Sequence, residues 1–427
     1  MASRLATAVA TKWARRCRRY PVLTRRLYGS TTSSSADNTA SDMIKYARQH
    51  SRSQNDTSYQ EALRVLEQGL SIFQGADIST ANAAGRLLLA MATLYTDRGD
   101  ICGAIERLDE VSKMTLSSLE VRVAALEALI GLYLRMHQDV TASQFADKCL
   151  NLLEGAEAKI DEETLEALKM RTQCIKGLVE LTRGHVHSAG SYFIGCQADI
   201  IRSNKNGLGA VALSYAEFVH VTGNFQLAKE FYELALEFSG TKDSHVPVAA
   251  AMVSEDVQLG AACGLGQLAI RTGNFDEAEQ RLTQVLKKAE EYYGGHNHKV
   301  GIVLACIADM FGRKGRSEGA NYFFIQEGLY RRALEMLKAP PLEQQVTATE
   351  IDLRDVVALV RGSYSQLLSQ QRSRVGEAQK MREWADAVWS NNRISLEDVF
   401  GNTEASADEE TRTSVILVTD MRLGRVL

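Results

Sequence analysis

Three short patterns in this chain contain residue types that could bind a cofactor or a metal. Residues 264–269 (GLGQLA) fit the glycine fingerprint of dinucleotide sites, where missing side chains let a pyrophosphate approach the backbone. His185 with His187, and His296 with His298, each place two imidazoles close together. The glycines lie within a predicted helix rather than after a strand, and no cysteine or carboxylate completes either histidine set at a recognised spacing. We therefore predict close helix crossing at the glycines, loop or cap histidines, and neither a cofactor nor a metal.

The sequence also lacks the usual signatures of catalysis. It contains no phosphate loop, nucleophile elbow, metalloprotease signature or carboxylate pair with an assignable mechanism, so we predict that the chain is not an enzyme. None of its seven cysteines pairs with another at metal or redox spacing. Cys149 and Cys196 take positions that small residues such as Ala235 hold elsewhere, which predicts packing thiols in a reducing compartment.

The elements that would position a site come from a skeleton that recurs six times. It consists of one residue, a second residue seven positions later that is usually glycine, and an alanine five positions after that. The six units are Ala92/Gly99/Ala104, Ile130/His137/Ala142, Gly177/Gly184/Ala189, Ala216/Gly223/Ala228, Gly266/Gly273/Ala278 and Ala308/Gly315/Ala320. Both halves keep helical spacing, so each unit predicts a helix, a tight turn and a second helix. Such hairpins bury their apolar stripes only by stacking on neighbours, which predicts a solenoid.

This skeleton resembles the tetratricopeptide repeat family, whose helical hairpins have small residues where the helices cross and a glycine in the turn. The best-matching stretches are residues 223–225 (GNF) before Ala228 and residues 273–275 (GNF) before Ala278. Weaker outer units lie at 59–70 and 376–389, so the resemblance covers roughly residues 42 to 390. It implies an all-α protein, namely a right-handed α-solenoid of about eight hairpins.

The spacing of the units is similar to the kinesin light chain subtype of this repeat. Consecutive second-helix alanines are 38 to 58 residues apart, which is longer than the usual period of about 34. Loops 243–247 and 294–300 contain histidines, as in that subtype, and residues 329–335 resemble its second helix after an insertion within 321–328. The chain has no sustained heptad region to pair with a motor heavy chain, so we do not predict a motor function.

The N-terminal composition is typical of an organelle transit peptide. Residues 1–28 contain eight lysines and arginines, and no acidic residue precedes Asp37. Residues 26–29 (RLYG) resemble the pattern cut by the mitochondrial matrix peptidase, which predicts cleavage after Tyr28. Residues 29–41 are then a predicted disordered Ser/Thr-rich linker. We predict a mitochondrial location, in the matrix, with plastid import or a basic tail on a cytosolic protein as alternatives.

The charge balance and hydropathy narrow the classes of partner. The whole chain has 49 basic and 53 acidic residues, and loss of the eight basic residues of 1–28 leaves 41 against 53, a net charge of −12. An acidic body repels a phosphate backbone, so nucleic acid is not an expected partner. No apolar run is long enough to cross a bilayer, since the best candidates are 87–95 and 300–310.

The resemblance implies that the first helix of each hairpin lines a concave face. An extended concave surface favours binding over chemistry, and its mixed apolar and charged character suits an amphipathic or extended segment of a partner protein. The chaperone-binding members of the family grip a terminal carboxylate with lysines and asparagines that have no counterpart here. The predicted partner-binding groove consists of Glu217, His220, Gln267, Arg271, Asp309 and Arg313. The alternative is that these groups are simply solvated.

The predicted repeat domain spans residues 42–391, and 392–427 form a predicted C-terminal tail. Residues 414–419 (SVILVT) are unexpectedly apolar for the end of a chain. They could pair as a strand, shield the last repeat, or act as a docking peptide. Shielding is the preferred prediction, because terminal repeats need their exposed faces covered.

Three functional classes follow. The first is a non-catalytic scaffold or assembly factor in mitochondria that binds a partner polypeptide, for example during assembly of respiratory complexes. The second is an organellar RNA-binding repeat protein, for which we would expect a more regular period near 35 and a basic groove. The third is an enzyme or the regulatory subunit of an enzyme, for which the sequence nominates no residues.

Overall fold

The fold is known from a computed structural model. It describes residues 33–52, 56–75, 77–155, 160–204, 208–239, 246–344, 351–401 and 415–427. The predicted transit peptide, with its cleavage position at Tyr28, lies outside these residues.

The described residues form eighteen α-helices and one small sheet. In chain order, the helices are α1 (Ser33–Ser51), α2 (Asp56–Ile72), α3 (Ile78–Arg98), α4 (Ile101–Lys113), α5 (Leu119–Arg135), α6 (Asp139–Glu154), α7 (Glu162–Thr182), α8 (Val186–Tyr192), α9 (Ala198–Ser203), α10 (Gly209–Val221), α11 (Phe225–Ser239), α12 (Ser254–Arg271), α13 (Phe275–Tyr293), α14 (His298–Glu318), α15 (Phe323–Met336), α16 (Arg354–Ser369), α17 (Val375–Val388) and α18 (Leu396–Gly401). Two short 3₁₀ turns lie at Ala250–Met252 and Arg372–Arg374. The sheet pairs β1 (Thr419–Asp420) with β2 (Arg425–Val426).

The helices form eight stacked hairpins, as the sequence predicted. The pairs are α1/α2, α3/α4, α5/α6, α7/α8, α10/α11, α12/α13, α14/α15 and α16/α17. The second helix of a hairpin also packs against the first helix of a following one, as α4 does on α5 and α13 does on α14. The chain is therefore an all-α solenoid, and its buried residues form three main hydrophobic clusters that follow one another along the stack.

Most of the predicted turns have the backbone conformation that glycine favours. Gly99, Gly184, Gly223 and Gly273 all have φ near +80°, and His137 takes the same left-handed conformation at φ +57°. The sixth turn was predicted wrongly. Helix α14 continues through Gly315 and ends at Gly319, where φ is +68°.

This longer helix also changes the second half of the sixth unit. Ala320, the predicted packing alanine, is exposed between the helices, and the buried alanine of α15 is Ala333. The N-terminal boundary differs too. Helix α1 begins at Ser33, so residues 33–41 are helical and not a disordered linker. At the other end, the predicted tail contains α18, which packs on α16.

First and second helices have different patterns of burial. The second helix α13 buries a single stripe, Ala278, Leu282, Val285 and Ala289, and leaves its other faces to solvent. The first helix α5 is buried around most of its circumference. The second helices cover the outer side of the first helices, so further segments of the chain must cover their inner side.

The solenoid curls until distant hairpins touch. Arg52, after α1, forms an ion pair with Glu255 of α12 at 2.6 Å. The Asn297 side chain donates to the Asp97 carbonyl oxygen at 3.0 Å, and Arg135 Nε donates to Asp352 at 3.0 Å. Because these contacts join residues roughly 200 positions apart, the concave side is a narrow, enclosed groove. No described helix is long and apolar enough to span a membrane.

Candidate functional site

The candidate site is the inner groove, which we define as the concave surface formed by the first helices α3, α5, α7, α10, α12, α14 and α16. Two segments of the chain itself occupy it. Residues 246–253 fill the N-terminal half and pack on α3 and α5, where the Ala250 N–H donates to Thr93 Oγ1 at 3.0 Å. Residues 415–427, here called the tail hairpin, occupy much of the rest and leave a cavity beside them. The sequence predicted an open concave face, and the structure corrects that expectation.

The tail hairpin is a two-stranded ribbon buried in the groove. Thr419 pairs with Val426 and Asp420 with Arg425, and the turn between them closes at Gly424, where φ is +64°. All residues from 420 to 427 are buried. The sequence allowed three roles for residues 414–419, and of these the structure shows pairing as a strand. It pairs within the tail, however, and contacts inner helices along the stack rather than covering only the last repeat.

Arg422 anchors the hairpin against α10. Its side chain is completely buried, and it donates to Glu217 at 2.7 Å and to Ser214 at 3.2 Å. Asp420 of the same hairpin lies 3.5 Å away. Burial disfavours the charged guanidinium, but the two carboxylates outweigh burial and raise the pKa of Arg422. The arginine is therefore charged. Burial, and then the neighbouring Asp420, raise the pKa of Glu217 well above its usual range, while Arg422 lowers it, so this carboxyl group depends on the arginine to be ionised.

Arg425 is a second buried anchor, directed at α5, α6 and α16. Its guanidinium donates to Asp139 at 3.0 Å and to the Leu134 carbonyl oxygen at 2.9 Å, and Nε lies 3.8 Å from Asp355. Asp355 is fully buried. Burial raises its pKa, while Arg425 and hydrogen bonds from Ser390 act in the opposite direction. The guanidinium thus compensates carboxylates from two distant hairpins.

Neutral and basic side chains hold the backbone of the tail hairpin. The Gln267 amide accepts from Thr419 N–H at 2.8 Å and donates to the Thr419 carbonyl oxygen at 3.0 Å, as a neighbouring strand would. Asn391 donates to the Val426 carbonyl oxygen at 2.7 Å, and Arg393 to the Leu427 carbonyl oxygen at 2.9 Å. Backbone contacts of this kind accept many side-chain sequences, so the selective contacts are those to Arg422 and Arg425.

The structure brings most of the predicted groove residues together. His220, Gln267, Arg271, Asp309 and Arg313 line one cavity of about 360 Å³ that lies beside residues 415–419. Glu217 does not line it and instead pairs with Arg422. Gln267 contacts both the cavity and the tail hairpin. Binding of a partner at these residues stays a prediction.

The charges around this cavity are mixed, with arginine in excess. Arg313 pairs with Asp309 at 2.9 Å, which raises the pKa of Arg313, while burial and then Arg313 lower the pKa of Arg271. Arg316 and Asp398 also lie on the cavity wall. Three arginines and two aspartates therefore face a space that is large enough for several side chains.

His220 stands at the junction of the cavity with the core. It is buried, and its Nδ1 lies 3.2 Å from the Tyr232 hydroxyl. Burial, followed by repulsion from Arg271, lowers the pKa of His220 to about 4. The folded state therefore keeps the imidazole neutral at pH values where the unfolded chain would protonate it.

We expect this histidine to make folding sensitive to acid. Because its pKa is lower in the folded state, stability is lost as pH falls from about 6.5 towards 4. Urea unfolding of the His220→Gln variant should show a pH slope smaller by about 1 kcal/mol per pH unit between pH 6 and 5. The exposed His187→Gln serves as the control, and an unchanged slope in His220→Gln would contradict the assignment.

The glycine and histidine patterns have structural roles. Gly264 and Gly266 lie inside α12, where a Cβ on Gly264 would come within 2.3 Å of Tyr232 and one on Gly266 within 2.6 Å of Leu282. This confirms the predicted close helix crossing. His185 Nδ1 donates a hydrogen bond to the Glu180 carboxylate at 2.9 Å. Among the described residues, no group of three or more potential ligands is arranged to hold a metal.

The predicted packing role of Cys149 and Cys196 is confirmed. Both are buried, and all described cysteines are free thiols. The residues that sequence reasoning missed are Arg422, Arg425 and their carboxylate partners Asp139 and Asp355. A usable signal was present, because two arginines within an otherwise apolar chain end require buried acceptors if that end packs inside the protein.

Comparisons with known proteins give distant likenesses only. No protein-family model matches the chain, and no curated protein matches it. The crystal structure of NprR in complex with its cognate peptide NprX is similar at a TM-score of 0.45 and 13% identity, covering 90% of this chain and 96% of that one. A signal transduction ATPase with numerous domains and a tetratricopeptide repeat sensor, from Pyrococcus horikoshii, is similar at a TM-score of 0.41 and 12% identity. That match covers 83% of this chain and 53% of the other.

Proposed function

We propose that this chain is a non-catalytic scaffold or assembly factor in mitochondria, and that it binds a segment of a partner polypeptide in the inner groove. The observation that carries the proposal is that the groove already holds an extended polypeptide. Gln267, Asn391 and Arg393 bind the backbone of the tail hairpin, and buried carboxylates bind its arginines. A groove built in this way has the contacts that a foreign peptide needs.

The mitochondrial part of the proposal rests on the sequence. The basic, acid-free residues 1–28 and the RLYG pattern at 26–29 support import and cleavage after Tyr28. The long unit spacing likewise supports the kinesin light chain style of tetratricopeptide hairpin. The net charge of −12 for residues 29–427 favours protein over nucleic acid as the partner.

Substitutions in the wall of the cavity beside the tail hairpin test whether a partner binds in the inner groove. In the Arg271→Glu/Arg313→Glu double variant, charge reversal on the cavity wall should reduce recovery of partner proteins from isolated organelles by about fivefold or more. The melting temperature should change little, because both arginines are partly exposed and the Arg313–Asp309 ion pair contributes under about 1 kcal/mol.

The matched control is Lys287→Glu/Lys288→Glu, which makes the same change in charge on the exposed side of α13. It should leave recovery unchanged. Nuclease treatment before purification separates protein partners from RNA-mediated ones. Equal recovery from the Arg271/Arg313 variant and wild type would count against this groove, and RNA-dependent recovery would favour the organellar RNA-binding alternative.

A further inference from the structure

The tail hairpin depends on the groove for its shape. It has only thirteen residues, and its ladder is short: Thr419 pairs with Val426, Asp420 pairs with Arg425, and Val418 exchanges backbone hydrogen bonds with Leu427. A hairpin of that size is not stable alone in water. Its order therefore comes from the walls around it. Residues 402–414 connect it to α18, so the chain is long enough for the hairpin to leave the groove without unfolding the helices that precede it.

If the tail hairpin left the groove, three carboxyl groups would lose the arginines that now compensate them. Glu217 and Asp355 are both buried and would lose Arg422 and Arg425, their cations from the tail. Asp139 would lose the 3.0 Å contact with Arg425. Burial raises the pKa of both Glu217 and Asp355, so without the arginines they would be either ionised at a high cost or protonated. A segment that brings positive charge to the same two places restores the ion pairs, and the vacated groove therefore favours such a segment.

The polar contacts between the tail hairpin and the inner groove are incomplete. Among the described residues, Nε of Arg422, Nε of Arg425 and Oδ2 of Asp355 are buried atoms without a hydrogen-bond partner. Each such atom forfeits free energy that a segment with slightly different geometry would recover. The spacing is also specific, because Arg422 faces α10 while Arg425 faces α5, α6 and α16.

We propose that the inner groove is an arginine-selective peptide site. A partner segment with two arginines three residues apart, within an apolar stretch, takes the place of residues 415–427. This inference rests on the proposed function and names the chemistry of the partner. Lysine fits less well than arginine, because Arg425 donates to Asp139 and to the Leu134 carbonyl oxygen with one fork-shaped group.

The test uses the whole chain with a protease site placed within residues 402–414. Cutting there keeps every residue but removes the tether, which otherwise gives the tail an effective concentration of the order of millimolar. A fluorescent peptide of residues 415–427 is then added, and its exchange into the groove is followed by anisotropy. We expect the labelled peptide to exchange and to bind at least about 30-fold more tightly than its R422Q/R425Q version.

A peptide variant and a variant of the chain distinguish the effect of arginine spacing from the effect of arginine charge. A peptide in which Arg422 and Leu423 exchange positions has the same composition but a different arginine spacing, and it should bind at least about tenfold more weakly. The Glu217→Gln chain should largely lose its discrimination between the native peptide and the R422Q peptide, since the two substitutions remove the same contact.

A second measurement covers the case in which the cut chain does not stay folded. In the intact chain, several millimolar native peptide should speed hydrogen exchange of the amides of residues 418–427, while R422Q/R425Q peptide should not. A tail that does not exchange in either experiment, or peptides that bind within threefold of one another, would overturn the inference. The proposed function is judged separately, by the Arg271/Arg313 recovery experiment.

Discussion

Replacing Arg425 by alanine is expected to destabilise the protein by about 3–5 kcal/mol, which is the usual cost of removing one partner from a buried charge pair. The Arg425 side chain is completely buried, and its loss would leave Asp139, Asp355 and the Leu134 carbonyl oxygen without their guanidinium. Urea unfolding followed by circular dichroism gives the free energy of unfolding. In the Arg425→Ala variant, the amides of residues 418–427 should show the largest increase in hydrogen-exchange rate over the wild type.

Lys113→Ala is the control for this prediction. Lys113 forms an ion pair with Asp109 one helical turn away, and both side chains are exposed. Its removal should cost less than about 1 kcal/mol. If Arg425→Ala were as mild as Lys113→Ala, then Arg425 would not be a buried anchor and the tail hairpin would not be seated as described.

Gly264→Ala should produce the second large loss, about 2 kcal/mol, by overpacking the crossing of α12 with α11. The new Cβ would come within 2.3 Å and 2.5 Å of two ring atoms of Tyr232. That ring is fully buried and its hydroxyl lies 3.2 Å from His220, so it cannot move aside without disturbing the wall of the inner groove.

Gly328→Ala provides the matched control, because Gly328 lies inside α15 with no atom within 4 Å of an added Cβ. Alanine favours helix by about 1 kcal/mol over glycine, so this variant should be neutral or slightly more stable. Thermal unfolding of both variants compares the two effects. Equal melting temperatures would mean that α11 and α12 do not approach as closely as described.

The hairpin architecture could be predicted from the sequence because its signals are local. Turn residues at 99, 137, 184, 223 and 273 and an alanine five positions later set the helix ends and the closest crossings. The error at Gly315 has a local cause as well. Glycine permits a turn but does not require one, and a second glycine four positions later supplied the left-handed residue instead.

The candidate site could be predicted only in part. The resemblance to the tetratricopeptide repeat family implied that His220, Gln267, Arg271, Asp309 and Arg313 lie on the inner sides of first helices, and they do line one cavity. Spacing within the hairpins does not indicate how far the stack curls. The enclosed groove depends on contacts such as Arg52 with Glu255, whose partners are about 200 residues apart.

The sequence by itself determined the repeating helical hairpins and their small-residue crossings. These follow from helical periodicity and the φ preference of glycine, which act over a few residues. Only the tertiary structure decided what fills the inner groove. Arg422 and Arg425 find Glu217, Asp139 and Asp355 because a buried charge must have a partner, and which residues are near enough depends on the curl of the whole solenoid.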